Sequence, residues 1–300
     1  MKKETVLVLG AGGIIGQHLL VNRPDWVDGV FTRRNESDEP WTSFDADKDD
    51  ILGFLEAHRP DVIVNLAGEN RVDVVEADPD KYLAANVRLP QRLAAWASRN
   101  DCYLIQCSSQ GVFSGDNPTY APNDTPHPLT HYGKQKVLSE AAALSIPNSE
   151  VTRFTFALGI RPFQAIGRRN PLEDMIEKSS QLQVNDKFFS PMFARDCAEI
   201  LWQRVASRRN AKDRIVHLGT PVRCSRFSIA SDVQRLLQGQ VKMDIQAVSH
   251  EYFTGIAPRP QDTTWNADNC LYLSSYEDGL ANCIADWRKL NDTGGASIQA

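Results

Sequence analysis

Tyr132 and Lys136 stand four residues apart in the sequence. On a helix this spacing places both side chains on one face. A phenol beside a permanent cation is an arrangement that can deliver a proton to a ketone oxygen. The same spacing arises by chance on many solvated helix faces, so it needs support from elsewhere in the chain. Ser108 and Ser109 provide such support, because they follow a predicted strand whose apolar run is Tyr103–Ile105.

A glycine-rich segment follows the first apolar run of the chain, Val6–Leu9. Glycines permit a tight turn and a close approach of the backbone, and the N–H groups that begin the next helix can bind a pyrophosphate. The spacing is GxxGxxG rather than GxGxxG, because position 15 is isoleucine. Turns that bind nothing also use glycine, but a place at the start of a βαβ pattern favours a dinucleotide. The predicted cofactor contacts in this segment are Gly10, Gly12, Gly13, Ile14, Ile15 and Gly16.

The residues about twenty positions further on bear on which dinucleotide binds. NAD-binding folds place an acidic residue there for the ribose 2′-hydroxyl, whereas this sequence has Arg33 and Arg34. Arginines can form paired hydrogen bonds to a 2′-phosphate, so NADP(H) is favoured over NAD(H), although a solvated basic loop would look the same. Asp45 could meet the adenine amino group or cap the helix behind it. Further cofactor contacts are predicted at the ends of two later strands, at Leu66, Ala67, Gly68 and Cys107.

Short apolar runs alternate with helical patterns through the first half of the chain. The predicted strands are 6–9, 29–32, 61–65, 102–107 and 151–156. The predicted helices between them are 13–21, a helix behind a cap at Asp47 that ends near His58, 80–99 and 130–144. Strands that alternate with helices form βαβ units with right-handed crossovers. The expected fold is therefore α/β, with a doubly wound parallel sheet of the Rossmann type.

The alternation weakens after residue 157, which bears on the domain organisation. We expect a dinucleotide-binding domain over 1–157 and a smaller C-terminal lobe, mainly substrate-binding, over 158–300. Residues 214–219 within that lobe have a strand pattern and are expected to return to the main sheet.

The composition excludes several classes of protein. The chain has 300 residues, 42% hydrophobic and 24% charged, with a net charge of −5, which describes a globular chain with room for a large core. No basic block points to nucleic acid or an anionic membrane as partner. The longest uncharged stretch, 5–22, contains four glycines and is unsuited to span a bilayer. Glu4 is atypical of a secretory leader, and six cysteines without CxxC spacing predict reduced thiols in the cytoplasm.

Taken together, these motifs resemble those of the extended short-chain dehydrogenases/reductases. The shared features are GxxGxxG, the NxAG-like tetrad Asn65–Gly68, the serines at the strand end and YxxxK. Two stretches are further similar to dTDP-4-dehydrorhamnose reductases: Cys107–Gly115 resembles YSTDYVFxG, and His127–Lys136 resembles APxNxYGxxK. The resemblance covers most of the chain, closely to about residue 160 and in patches afterwards.

The resemblance implies a role for each matched residue. Tyr132 would protonate the substrate carbonyl oxygen as the nicotinamide supplies a hydride, and Ser109 would orient that oxygen by a hydrogen bond. Lys136 would hold the nicotinamide ribose, and its charge would lower the pKa of Tyr132 from about 10. The implied activity is an NADP(H)-dependent reduction of the 4-keto group of a nucleotide-activated deoxysugar. The resemblance also implies a homodimer through the long helices. The expected substrate contacts are Ser108, Ser109, Gln110 and Phe156.

Two departures from the reductase pattern indicate a changed sugar pocket. Gln110 and Gly111 stand where the reductases have Asp-Tyr, which removes a charge and a ring beside the substrate. Phe156 replaces a tryptophan and keeps an aromatic ring without its N–H donor, or it belongs to the strand core. Two alternatives share the resemblance: a nucleotide-sugar epimerase with tightly held NAD, and a non-catalytic NADP-binding regulatory subunit. The histidines have no spacing typical of metal ligands, so no metal site is predicted.

Overall fold

The computed structural model describes residues 3–34, 39–210, 212–253, 255 and 257–292. Fourteen strands occur within these residues: β1 (Glu4–Leu9), β2 (Val27–Arg33), β3 (Trp41–Ser43), β4 (Val62–Asn65), β5 (Tyr103–Ser109), β6 (Ser149–Phe154), β7 (Ala157–Leu158), β8 (Ser180–Val184), β9 (Phe188–Phe189), β10 (Met192–Phe193), β11 (Ile215–Leu218), β12 (Asp244–Val248), β13 (Asp262–Thr263) and β14 (Cys270–Leu271). Nine α-helices accompany them: α1 (Ile14–Val21), α2 (Ile51–His58), α3 (Val72–Ala77), α4 (Leu89–Arg99), α5 (His131–Leu144), α6 (Pro171–Glu177), α7 (Ala194–Ser207), α8 (Arg226–Leu236) and α9 (Tyr276–Asp292).

Eight strands form one sheet in the order β14-β11-β6-β5-β4-β1-β2-β3. Every neighbouring pair in this sheet is parallel. The strand order runs in opposite directions from β1 and from β4, so a crevice opens between the carboxyl ends of these two strands. This arrangement confirms the predicted doubly wound α/β fold.

Helices cover both faces of the sheet because the central strands carry apolar side chains on both sides. Val6 and Val8 of β1 pack with α1 and α7 on one face. Leu7 and Leu9 point the other way and pack with α2, α4 and α5. All four side chains are fully buried. The period of two along a strand thus explains why a continuous apolar run is required in a sheet covered on both faces.

The predicted helix over 80–99 is broken into three segments. Asp80–Tyr82 is a 3₁₀ turn, Ala84–Arg88 is a π-helical turn, and α4 begins only at Leu89. Pro90 provides a reason, because it lacks the N–H that would bond the carbonyl of residue 86 and its ring would clash with that carbonyl.

Two other boundaries differ from the sequence prediction. The cap of α2 is Asp50 rather than Asp47, since the Asp50 carboxylate accepts hydrogen bonds from the N–H groups of Leu52 and Gly53, both at 3.1 Å. The strand predicted over 151–156 begins at Ser149 and ends at Phe154, so Phe156 lies outside it.

The second half of the chain contributes to the main sheet and also has a core of its own. The strand β11, within the predicted 214–219, pairs with β6, and β14 adds the outermost strand. A separate apolar cluster joins α6, α8 and α9. The division into lobes at residue 157 stays a prediction. Across the described residues, the structure contains no helix with the length and apolarity needed to cross a membrane.

Candidate active site

The glycine-rich turn joins β1 to α1 at the carboxyl edge of the sheet. Gly10 has a φ of +75°, and a Cβ added to it would lie 2.7 Å from the backbone of Ala67 in the loop after β4. A Cβ on Gly16 would lie 2.3 Å from the Cα of Ala11. Packing within the protein itself therefore requires both glycines.

Gly13 has a different environment. Among the described residues, the nearest atom to a Cβ placed there is the carbonyl oxygen of Gly10, at 3.7 Å. Gly13 is also the N-cap of α1, and no side chain caps the helix there. The first N–H groups of α1, such as those of Ile14 and Ile15, are therefore available to an anion. The turn fits the pyrophosphate of a dinucleotide, which would use the space that a side chain at Gly13 would fill.

The two predicted 2′-phosphate ligands follow different paths from the end of β2. The guanidinium carbon of Arg33 lies 5.8 Å from the centroid of the Trp41 ring. The side chain of Arg34 is half exposed, and its Nε lies 3.9 Å from Oδ1 of Asp45. Arg34 is therefore the more accessible of the two cations.

Asp45 stabilises its own turn. Its Oδ1 accepts a hydrogen bond from the N–H of Asp47 at 3.0 Å, and its Oδ2 lies 3.2 Å from Nζ of Lys48. Burial opposes ionisation, but the Asp47 N–H and the two cations, Lys48 and Arg34, outweigh it and lower the pKa of the Asp45 carboxyl. Asp45 does not cap α2, and its contact with adenine stays a prediction.

One strand and one helix bring the three predicted catalytic residues together. Tyr132 and Lys136 lie in the first two turns of α5, which begins behind Thr130, whose Oγ1 accepts a hydrogen bond from the N–H of Gly133 at 3.0 Å. The hydroxyl of Ser109, at the end of β5, lies beside the ring of Tyr132, since a Cβ built on Gly111 would be 3.4 Å from both. Nζ of Lys136 donates to the carbonyl oxygen of Cys107 at 2.8 Å.

The pKa of Tyr132 shifts in the direction opposite to the sequence prediction. Burial raises it to about 12, and the nearby charge of Glu69 acts in the same sense, while the Ser109 hydroxyl acts against them. Burial also lowers the pKa of Lys136. The expectation that Lys136 brings the pKa of Tyr132 below 10 is wrong, because loss of hydration dominates the shift and Lys136 does not contribute to it. The phenol therefore keeps its proton at neutral pH, as a proton donor must.

Ser108 belongs to a buried polar network. Its hydroxyl donates to Oε1 of Glu140 at 2.5 Å, and both oxygens of Glu140 accept from Arg153, at 2.8 and 2.7 Å. Arg153 also donates to the carbonyl oxygen of Pro122 at 3.0 Å and lies 3.3 Å from Nε2 of His217. Ser108 is 4% exposed. Its hydroxyl is therefore engaged within the protein, and its role as a substrate contact stays a prediction.

Two buried histidines predict an acid-sensitive fold. Burial, with the charge of Arg153, lowers the pKa of His217 to about 3, and burial lowers that of His18 to about 4. Below about pH 6.5 the unfolded chain binds these two protons while the folded chain does not. The free energy of unfolding should therefore fall as the pH drops from 7 to 5. Below pH 6.5 each of the two histidines should lower it by about 1.4 kcal/mol for every pH unit.

Chemical denaturation across this pH range measures the effect. The His217→Gln variant should lose roughly half of the histidine contribution to the slope. The matched variant His127→Gln changes an exposed histidine and should keep the full slope. A free energy of unfolding that does not change between pH 7 and 5 would contradict the prediction.

Positions 110 and 111, beside the Tyr132–Ser109 pair, carry neither a charge nor a ring. Oε1 of Gln110 accepts a hydrogen bond from the hydroxyl of Thr263 at 3.0 Å. A Cβ on Gly111 would lie 3.4 Å from Oγ of Ser109 and equally close to the ring of Tyr132. Any side chain at position 111 would therefore stand next to Ser109 and Tyr132, and glycine leaves that space open.

Phe156 lies in the connection between β6 and β7. Its ring packs against Phe189 with centroids 5.1 Å apart, and the guanidinium carbon of Arg226 lies 5.2 Å from its centroid. Phe156 is partly buried against the core of the second half of the chain. Both interpretations, a substrate contact and a packing residue, stay open.

Sequence reasoning missed Glu140 and Arg153. A signal for each was present: Glu140 follows Lys136 by four residues and so shares its helix face, and Arg153 is a single charge in a predicted buried strand, where it must be paired. Among the described residues, no set of three or more histidine, cysteine or acidic side chains is placed to hold a metal ion.

Fold and site together define the class of the protein, which is that of the extended short-chain dehydrogenases/reductases. A comparison with family models gives the family. The model described as RmlD substrate binding domain matches residues 4–288. The chain belongs to this family, which confirms the resemblance predicted from the motifs.

Individual relatives fall into two groups. dTDP-4-dehydrorhamnose reductase from Aggregatibacter actinomycetemcomitans is 27% identical over 299 residues, which cover 95% of this chain and 96% of the relative. Methionine adenosyltransferase 2 subunit beta from Rattus norvegicus is 36% identical over 143 residues, which cover 46% of this chain. The chain spans 42% of the length of that second relative, less than half.

A solved structure shows the same fold. The crystal structure of dTDP-4-dehydrorhamnose reductase from Bacillus anthracis in complex with NADP superimposes with a TM-score of 0.80 at 22% identity. The superposition covers 95% of this chain and 99% of the other.

Proposed function

We propose that this protein is an NADP(H)-dependent reductase of the 4-keto group of a nucleotide-activated deoxysugar. The observation that carries the proposal is the placement of the Tyr132 ring and the Ser109 hydroxyl side by side, each 3.4 Å from a Cβ built on Gly111. This pair lies at the carboxyl edge of the sheet that also holds the glycine-rich turn, so the phenol and the proposed dinucleotide site share one edge of the sheet. The similarity to dTDP-4-dehydrorhamnose reductase over nearly the whole chain supports the substrate class.

Each residue of the site has a distinct task in the proposed reaction. The reduced nicotinamide supplies a hydride when it is bound. The Ser109 hydroxyl orients the substrate carbonyl oxygen toward Tyr132, and the Tyr132 phenol donates its proton to that oxygen as negative charge develops on it. Lys136 holds the ribose next to the nicotinamide, and its charge favours the phenolate that Tyr132 leaves behind.

A substrate panel tests the proposal. The purified protein is incubated with NADPH or NADH and with dTDP-, GDP- and CDP-linked 4-keto-6-deoxyhexoses, and the loss of nicotinamide absorbance is followed. Turnover of at least one ketone supports the reductase. If NADPH binds with micromolar affinity and no sugar is reduced, the reductase proposal is wrong.

A non-catalytic NADP-binding regulatory subunit is the second candidate. The 36% identity with a protein named as a subunit of methionine adenosyltransferase favours it. An epimerase of the same fold would interconvert nucleotide sugars without net loss of reduced cofactor, so the same panel separates it when products are analysed. The cytoplasmic location and the homodimer stay predictions.

Cofactor preference gives a further prediction. Replacing Arg34 with alanine should raise the Kd for NADPH about tenfold, because one charge-assisted contact to the 2′-phosphate is lost. The Kd for NADH, which lacks this phosphate, should change little. Calorimetric titration of both cofactors measures the effect. A preference for NADH in the unaltered protein that survives the Arg33→Ala and Arg34→Ala changes would contradict the NADP assignment.

A further inference from the structure

The crevice between β1 and β4 has two walls. One wall is the glycine-rich turn after β1, and the other is the loop after β4, which includes Asn70. In doubly wound sheets a dinucleotide crosses such a crevice with its pyrophosphate over the turn. Any group that spans both walls therefore lies next to the pyrophosphate.

A segment from the second half of the chain spans both walls, and we name Phe163–Arg168 the roof segment. Gly167 has a φ of +72°, and a Cβ on it would lie 2.4 Å from the carbonyl oxygen of Gly12. The next residue, Arg168, donates from Nη2 to Oδ1 of Asn70 at 3.4 Å. The backbone of the roof segment thus touches the glycine-rich turn, while the Arg168 side chain reaches the opposite wall.

Gln17 fixes the roof segment to the turn. Its Nε2 donates to the carbonyl oxygens of Gly12 and Ile166, both at 3.0 Å, and its Oε1 accepts from the N–H of Phe163 at 2.9 Å. The Gln17 side chain is fully buried, so these three hydrogen bonds are shielded from water.

Arg161 supports the same segment from behind. Its Nη1 donates to the carbonyl oxygens of Ile166 and Gly167, at 3.0 and 3.1 Å, and its Nε lies 2.8 Å from the buried carboxylate of Glu173. The side chains of Gln17 and Arg161 therefore hold the backbone of the roof segment from two sides. The position of the Arg168 Cα is restricted as a result.

The charge of Arg168 has no acidic partner within 4.0 Å among the residues that the structure describes. The neighbouring Arg169, in contrast, is paired with Asp174 and Glu177. We propose that Arg168 is a further cofactor-binding residue whose guanidinium binds the pyrophosphate, opposite the N-terminus of α1. Guanidinium groups match phosphate oxygens in charge and in hydrogen-bond geometry. The assignment rests on the proposed dinucleotide function of this crevice.

Calorimetric titration of the Arg168→Gln variant tests the proposal without any sugar substrate. The Kd values for NADPH and for NADH should both rise about tenfold, because both carry the pyrophosphate. The Kd for ADP, as a pyrophosphate probe, should rise by a similar factor. The matched variant Arg169→Gln makes the same chemical change one residue further on and should bind all three ligands like the unaltered protein. Arg168 is exposed, so its replacement leaves the core intact.

The outcomes separate this inference from the proposed function. Unchanged affinity of Arg168→Gln, or an equal loss in Arg169→Gln, overturns the role of Arg168 alone. A loss confined to NADPH would place the guanidinium at the 2′-phosphate and overturn the pyrophosphate assignment. If the unaltered protein binds neither NADPH nor NADH, the dinucleotide function of the crevice fails, and the role of Arg168 fails with it.

Discussion

Replacing Tyr132 with phenylalanine should lower kcat by a factor of about 10²–10⁴ and leave the Kd for NADPH nearly unchanged. The ring and its packing are retained, and what is lost is the phenolic proton beside Ser109. Because burial raises the pKa of Tyr132 to about 12, the phenol is protonated at neutral pH. The hydroxyl of Ser109 is a weaker acid than a phenol and does not replace it as proton donor. Steady-state turnover with the best ketone of the panel, together with cofactor titration, measures both quantities.

A second tyrosine on the same sheet provides the control. Tyr103 begins β5, at the opposite end of the strand from Ser109, and its hydroxyl donates to Glu150 at 3.2 Å. The Tyr103→Phe variant removes a phenolic hydroxyl in the same way but far from the crevice, so turnover should stay near that of the unaltered protein. Full activity of the Tyr132→Phe variant would show that the proton comes from another group.

Replacing Arg153 with methionine should lower the free energy of unfolding by about 3–5 kcal/mol. Arg153 and Glu140 are 1% and 3% exposed, so the change leaves a carboxylate without its cation in the interior. The Ser108 hydroxyl alone cannot compensate for that charge. Chemical denaturation at pH 7, with turnover measured in parallel, gives the loss of stability and any loss of activity.

Two further variants identify the cause. The double variant Arg153→Met/Glu140→Leu removes both charges and should recover much of the loss, since a buried pair adds little over apolar packing. Arg59→Met breaks an exposed ion pair with Glu56 and should cost less than about 1 kcal/mol. An Arg153→Met variant as stable as Arg59→Met would contradict the prediction.

The first half of the fold could be predicted because its local signals agree with its tertiary structure. Val6–Leu9 and 62–64 are apolar throughout, and a strand covered on both faces requires this pattern. The prediction of one continuous helix over 80–99 was wrong, because a single proline, Pro90, changes the hydrogen bonding of the turn before it. In the second half, strands of two residues such as β9 and β13 are too short to produce any periodicity.

The candidate site could be predicted only as far as sequence spacing reaches. The spacing places Tyr132 and Lys136 on one face, but the pKa of Tyr132 depends on burial by distant segments. Which way a serine at a strand end points is also set by tertiary packing, and Ser108 points to Glu140. Arg168 belongs to none of the motifs recognised in the sequence. Its position over the crevice depends on contacts with residues far away in sequence.

The hydrogen bond from Gln17 to Ile166 joins residues 149 positions apart. During synthesis on the ribosome, β1, α1 and the glycine-rich turn emerge long before the roof segment. A dinucleotide therefore cannot be enclosed, and cannot act as a folding template for the completed crevice, until more than half of the polypeptide has left the exit tunnel. Enclosure of a dinucleotide by the roof segment is then a late event in biogenesis, coupled to the docking of the second half of the chain onto the first.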